Sequence, residues 1–114
     1  MSQHLMKNID FAKVIEMGSL VEYQEGRVVS RTLAQGKPLS ITLFAFDQGE
    51  EISSHSASGD ALVYLLDGQA EITIGTEKFI LNKGETIVMP ANVPHALLAK
   101  EKFKMLLIVV FSLS

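Results

Sequence analysis

The sequence predicts an all-β fold that is preceded by a short N-terminal helix. After Gly26 the chain consists of short apolar runs, rich in β-branched residues, that are cut by Gly, Pro and Asn. No helical pattern lies between these runs, so they cannot form a parallel sheet with helical crossovers. The chain has 114 residues, 47% of them hydrophobic, which suits one domain with an ordinary buried core. A sandwich, an up-and-down barrel and a jelly roll remain as architectures.

The helical pattern is confined to the first twenty residues. Asp10 can cap a short helix, and Gly18 can end it. The apolar residues near one face of this helix are Phe11, Val14, Ile15 and Met17. We therefore expect a helical lead-in over residues 1–26 and a β region over residues 27–114, which together form one domain.

Apolar runs and turn signals alternate through the rest of the chain. The runs predicted as strands are RVVSRTL, SITLFAF, ALVYLL, QAEITI, KFIL, TIVM, HALLA and FKMLLIVVF. Asp67-Gly68 is the strongest hairpin signal, because a type I′ turn needs a positive φ at both central residues. The other predicted turns are Gly36-Lys37-Pro38, Gln48-Gly49, Asn82-Lys83-Gly84 and Pro90 to Pro94.

Composition argues against several classes of partner. Lys plus Arg total 10 against 13 Asp plus Glu, a net charge of -3 without runs of like charge, so neither nucleic acid nor an anionic membrane is expected as a partner. The chain has no cysteine for a disulfide or a zinc-thiolate site. Its longest apolar run, MLLIVVF, is far shorter than the roughly 20 residues of a membrane-spanning helix. Because MSQHLMKNIDFAK lacks the apolar stretch of a secretory signal, we expect a cytoplasmic protein.

Two stretches carry spaced Gly, His and Pro residues. The first, GEEISSHSASGDALVYLLDG, places His55 between Gly49 and Gly68. The second, GETIVMPANVPHALLA, contains Gly84, Pro90 and His95. These residues match positions of the two motifs of the cupin family, so the chain resembles a small single-domain cupin over roughly residues 27 to 111. The resemblance implies a jelly-roll barrel, also called a double-stranded β-helix, in which His55 and His95 share one cavity.

The chain departs from the cupin motifs at the positions of the metal ligands. Ala57 stands where the first motif has its second histidine, and Ala61 stands where it has a glutamate. Two neutral imidazoles supply neither the ligand number nor the negative charge that a catalytic divalent metal normally receives. Asp60 adjoins the lost glutamate position, but strand alternation sends its side chain to the opposite face unless a bulge re-aims it. Capping of a turn is the commoner role for such an aspartate.

The second motif is also altered at its glycine and asparagine positions, which hold Asn92 and Ala99. Asn tolerates the left-handed backbone that a turn glycine supplies, so we expect this turn to survive.

Three functions are consistent with these residues. The first, which we favour, is a metal-free barrel that binds a small polar or anionic molecule, with His55 and His95 at the mouth of a cavity lined by Val63, Leu65, Phe79, Met89 and Leu97. The second is a metal-dependent oxygenase, isomerase or lyase, as many cupins are, with iron, manganese, zinc or nickel on His55 and His95 and with Asp60 as a third ligand. The third is a metal-free isomerase or epimerase that uses one histidine as an acid or base. The sequence does not identify the ligand.

The C-terminal run KMLLIVVF is apolar on both faces of a strand. A strand that is apolar on both faces is normally covered on both. We therefore expect one face in a subunit interface, and a homodimer is the simplest symmetric assembly and resembles the family habit.

Overall fold

The computed structural model describes residues 4–112; residues 1–3 and 113–114, at the ends of the two predicted segments, lie outside the description. Within 4–112 the chain forms eight strands and one turn of 3-10 helix, Met17–Leu20. The strands are β1 (Val28–Gln35), β2 (Leu39–Phe46), β3 (Glu51–His55), β4 (Asp60–Ile74), β5 (Glu77–Asn82), β6 (Thr86–Met89), β7 (His95–Leu98) and β8 (Phe103–Val110). The all-β prediction is confirmed. No helix in these residues is long and apolar enough to cross a membrane.

All strand pairs are antiparallel, and β4 lies at the centre of the sheet. The strand order is β1-β2-β8-β4-β7-β3, and β5 and β6 both pair with β4. The first part of β4 pairs with β6 and β8, and its second part, Gln69 to Ile74, pairs with β5 and β7. Because one strand of 15 residues takes part in both halves of the sheet, the sheet curls into a barrel.

Asp67-Gly68 does not form the predicted hairpin. Both residues lie within β4, at a point where the pairing with β8 shifts register between Leu65 and Asp67. Gly68 has a φ of 77°, and a Cβ there would collide with the Lys102 carbonyl oxygen. The positive φ that suggested a turn is therefore used for a bulge that bends the strand. The two-residue hairpin turn is Gly75-Thr76, which joins the paired residues Ile74 and Glu77.

The N-terminal helix is shorter than predicted and begins later, at Met17 rather than after Asp10. Ala12 has a φ of 53°, which interrupts a helix. Phe11 and Val14 are exposed, with 52% and 102% relative accessibility, so the apolar face of the predicted helix has nothing to pack against. Tertiary contact therefore decides where the lead-in becomes helical.

The lead-in packs on the outside of the barrel. Val21 is buried there in a small cluster with Leu33, Leu43 and Ala45. Tyr23 donates a hydrogen bond of 2.6 Å to the Asp67 carboxylate, and this bond ties the lead-in to the bend of β4. The lead-in thus covers one part of the outer sheet surface.

The main core lies inside the barrel. The rings of Phe46 and Phe103 stack at a centroid distance of 4.4 Å, and both residues are fully buried. Phe103 begins β8, and the residues that follow it on the same face, Met105, Leu107 and Val109, run from this aromatic pair toward a cavity. One end of the barrel is therefore filled with side chains, and the other end retains open volume.

Candidate functional site

The cavity has a volume of about 100 Å³. It is lined by Phe44, Ile52, His55, Ala57, Ala61, Met89, His95, Leu97, Met105, Leu107 and Val109. These residues come from six strands and from the loop between β3 and β4. The lining is apolar except for the two histidines.

His55 and His95 face each other across neighbouring strands. Their Cα atoms are register partners in the β3–β7 pair, and their rings meet edge to face with centroids 4.4 Å apart. His55 Nδ1 lies 3.1 Å from the Ser53 carbonyl oxygen. Since a carbonyl only accepts, this contact requires a proton on Nδ1 and leaves the lone pair on Nε2.

His95 is buried, with 4% relative accessibility. Its Nδ1 has no hydrogen-bond partner among the described residues. Burial and the neighbouring His55 lower the pKa of His95, and the nearby backbone of Val93 acts in the opposite direction. The His95 imidazole is therefore uncharged near neutral pH and keeps one unused polar atom.

The structure brings together some of the residues that the sequence singled out. Met89 and Leu97 line the cavity with the two histidines. Val63 and Leu65 are fully buried in the core and do not line it. Phe79 is 37% exposed on β5 and also does not line it, because β5 pairs with the half of β4 that lies beyond the bend.

Sequence reasoning did not place Phe44, Ile52 or Val109 in the lining. The alternation of Met105, Leu107 and Val109 along β8 is the signal that could have found Val109. Phe44 and Ile52 had no such signal, because their place depends on how the sheet curls.

The positions of the two missing family ligands face this same cavity, since Ala57 and Ala61 both line it. The Asp60 carboxylate accepts a hydrogen bond of 2.7 Å from the Ala91 backbone N–H, and the side chain is exposed. This contact is the turn-capping role. Within residues 4–112 no three side chains of His, Cys, Asp or Glu are grouped to hold a metal ion. The donor set in the cavity does not fit a catalytic divalent metal.

Two backbone features hold the mouth of the cavity in place. Asn92 has a φ of 64°, so it replaces the turn glycine as expected. Its N–H donates a 2.7 Å hydrogen bond to the Ala57 carbonyl oxygen. Gly59 lies against β8, where a Cβ would stand 2.7 Å from Val109 Cγ1. The loop that carries Ala57 is thus fixed between the second-motif turn and the end of β8.

Comparison with known proteins places this architecture in a family. Residues 42–111 match the family model described as Cupin domain. The chain shares 46% identity and a TM-score of 0.97 with a conserved protein of unknown function from Streptococcus pyogenes, each chain being covered fully. It shares 36% identity and a TM-score of 0.90 with a cupin superfamily protein from Desulfitobacterium hafniense, over 94% of this chain and 98% of that one.

A curated relative is an uncharacterised protein from Streptomyces coelicolor, with 32% identity over 57 residues. The matched segment is 50% of this chain and spans only 54% of the relative's length. The family model, by contrast, covers well over half of this chain, including both motif histidines. The chain therefore belongs to the cupin family.

Proposed function

We propose that this protein is a small-molecule-binding cupin barrel whose ligand enters the cavity beside His55 and His95. The observation that carries the proposal is the buried, unpaired Nδ1 of His95 in an otherwise apolar cavity. A buried polar atom without a partner costs about 1–3 kcal/mol. A ligand that offers this atom a hydrogen bond recovers that cost and excludes water from the apolar lining.

The size of the cavity limits what it can hold. Drug-sized ligands usually occupy about 300–1,000 Å³, whereas this cavity measures about 100 Å³. An apolar cavity of about 150 Å³ holds benzene. The buried part of the ligand is therefore a single small ring or a short branched chain, with one polar group such as a hydroxyl, a carbonyl or a carboxylate directed at the imidazoles.

The methionine methyl groups provide a direct test of binding. Met89 and Met105 line the cavity, whereas Met6 and Met17 lie on the lead-in outside it. We would label the methionine methyls with ¹³C and titrate the protein with phenol, isobutyrate and isobutanol. The proposal predicts saturable shifts of the Met89 and Met105 signals, while those of Met6 and Met17 stay in place.

A matched pair of variants completes the test. Ala57→Phe should fill the mouth of the cavity and abolish the shifts, whereas Ser56→Phe adds the same ring at the neighbouring exposed position and should leave them. Absence of shifts with all three probes, or shifts that persist in Ala57→Phe, would refute the proposal.

The two enzyme functions receive less support from the described residues. A divalent metal would meet two neutral imidazoles and no carboxylate in the cavity lining. An acid or base reaction would use a histidine that no carboxylate orients, since Asp60 is bonded to the Ala91 backbone.

We further infer that the protein is a homodimer in the cytoplasm. The outward side of β8 adjoins an uncovered apolar surface, which we call the outer face: Leu62, Tyr64, Val88, Ile108 and Val110. Leu62 is the register partner of both Val88 and Ile108, so these residues are contiguous. Val88 and Val110 are 49% and 48% exposed. An apolar face of this kind supports pairing with the same face of a second copy.

A further inference from the structure

We propose that the mouth of the cavity binds a copper(I) ion through the imidazoles of His55 and His95 and the thioether of Met89. This inference goes beyond the binding of an organic molecule and does not depend on it. It starts from the mismatch between the donor atoms in the cavity and the divalent metals that cupins commonly hold.

The mismatch concerns ligand number and charge, and copper(I) relaxes both requirements. It is a soft, monovalent ion that accepts a low coordination number and neutral donors, and thioethers and imidazoles are among the ligands that suit copper. The cost of bringing an ion into an apolar site rises with the square of its charge in the Born treatment. A monovalent ion therefore needs no carboxylate in a lining that contains none.

The histidine pair has the geometry that one shared ion requires. Metal–nitrogen bonds to imidazole are about 2 Å long, and the ring centroids of His55 and His95 are 4.4 Å apart. His55 Nδ1 donates to the Ser53 carbonyl oxygen. Metal-binding histidines are typically oriented by such a bond from the nitrogen that does not bind the metal. His55 thus presents Nε2 with a free lone pair.

His95 supplies an independent observation. The residue is only 4% exposed, lines the cavity, and leaves Nδ1 without a partner among the described residues. A buried imidazole is normally satisfied by hydrogen bonds. An ion at the mouth would use this ring.

Met89 lies where the third donor is needed. It is 2% exposed, lines the cavity, and is the register partner of Ala61 across the β4–β6 pair. Ala61 stands at the position from which cupins contribute their glutamate, so the Met89 thioether neighbours the vacated carboxylate position. Met105 also lines the cavity, but it pairs with Leu65, nearer the end of the barrel that Phe103 closes.

Titration with copper(I) alone tests the proposal. Tag-free full-length protein would compete anaerobically with bicinchoninate for copper(I) kept reduced by ascorbate. We expect one equivalent to bind, and we expect Met89→Leu, which nearly preserves side-chain volume, to weaken binding by at least about tenfold. Met17→Leu removes a thioether outside the cavity and should leave the affinity unchanged.

X-ray absorption at the copper edge supplies a second readout that does not depend on affinity. The proposal predicts one sulfur and two nitrogen neighbours, with the sulfur lost in Met89→Leu and one nitrogen lost in His95→Asn. If His95→Asn fails to fold, Met89→Leu and the wild-type spectrum still decide the outcome.

Three results would overturn the proposal: no competition with the chelator, a copper spectrum without sulfur, or zinc(II) bound as tightly as copper(I). Each differs from the result that would refute organic-ligand binding, which is the absence of methyl shifts with metal-free protein.

Discussion

Gly68 is the residue at which β4 bends from one half of the barrel to the other. Its φ is 77°, and the Lys102 carbonyl oxygen and the Phe103 Cα occupy the space that a Cβ would need. We predict that Gly68→Ala lowers the free energy of unfolding by about 2–4 kcal/mol, through left-handed strain and steric overlap together. Urea denaturation measures this change.

Gly26→Ala is the control for this substitution, because Gly26 has a similar φ of 67° and open space around its Cβ direction. It should lose only about 1–2 kcal/mol from the backbone conformation. Equal losses in the two variants would show that the contact with residue 102 does not matter.

His95 should make stability depend on pH. Its folded-state pKa is lowered below the ordinary value of 6.5, first by burial and then by His55. Below pH 6.5 the unfolded chain gains a proton that the folded protein does not, so stability falls as the pH drops from 6.5 toward the folded pKa.

Urea denaturation of metal-free protein at intervals from pH 7.5 to pH 5 measures this dependence. His95→Gln should flatten the decline between pH 6.5 and 5. His4→Gln, at an exposed position on the lead-in, should leave it unchanged. A slope that His95→Gln does not alter would contradict the prediction.

The loop after β3 and the start of β4 hold the two positions where the cupin ligands are missing. Ala57 and Ala61 line the same cavity as the histidines, so side chains there would point at one centre. We predict that Ala57→His with Ala61→Glu raises affinity for nickel(II) or zinc(II) by at least about a hundredfold, because the site then has four ligands and a negative charge. Calorimetric titration measures the gain.

The matched control adds the same groups outside the cavity, as Ser56→His with Tyr64→Glu, at two exposed positions. This control should gain little. Equal affinities in the two double variants would contradict the register that places Ala57 and Ala61 on the inner face.

Elements differed in how well the sequence predicted them. The runs that became β1, β2 and β8 alternate or are continuously apolar, and they were predicted nearly to their ends. β3 was not predicted as a strand, because only Ile52 in it is partly buried and it pairs solely with β7. Asp67-Gly68 was read as a hairpin because a positive φ serves a turn and a bulge equally well.

At the scale of the whole molecule, the outer face predicts the state of assembly. Val88→Lys should place a charge in the proposed dimer interface and shift the mass measured by light scattering from twice 12.5 kDa toward 12.5 kDa. Ile80→Lys is the matched control, because Ile80 is 50% exposed on β5, away from the outer face. Wild-type protein that is monomeric at high concentration would refute the homodimer.

The sequence by itself determined the all-β class, the family, the two histidines that share a cavity and the loss of two metal ligands. Local signals were enough there, since motif spacing and strand alternation act within a few residues. Only the tertiary structure decided that β4 is one bent strand, that Val63 lies in the core and Met105 in the cavity lining, and that His95 Nδ1 has no partner. These features depend on how distant strands curl against one another, and no stretch of sequence encodes that alone.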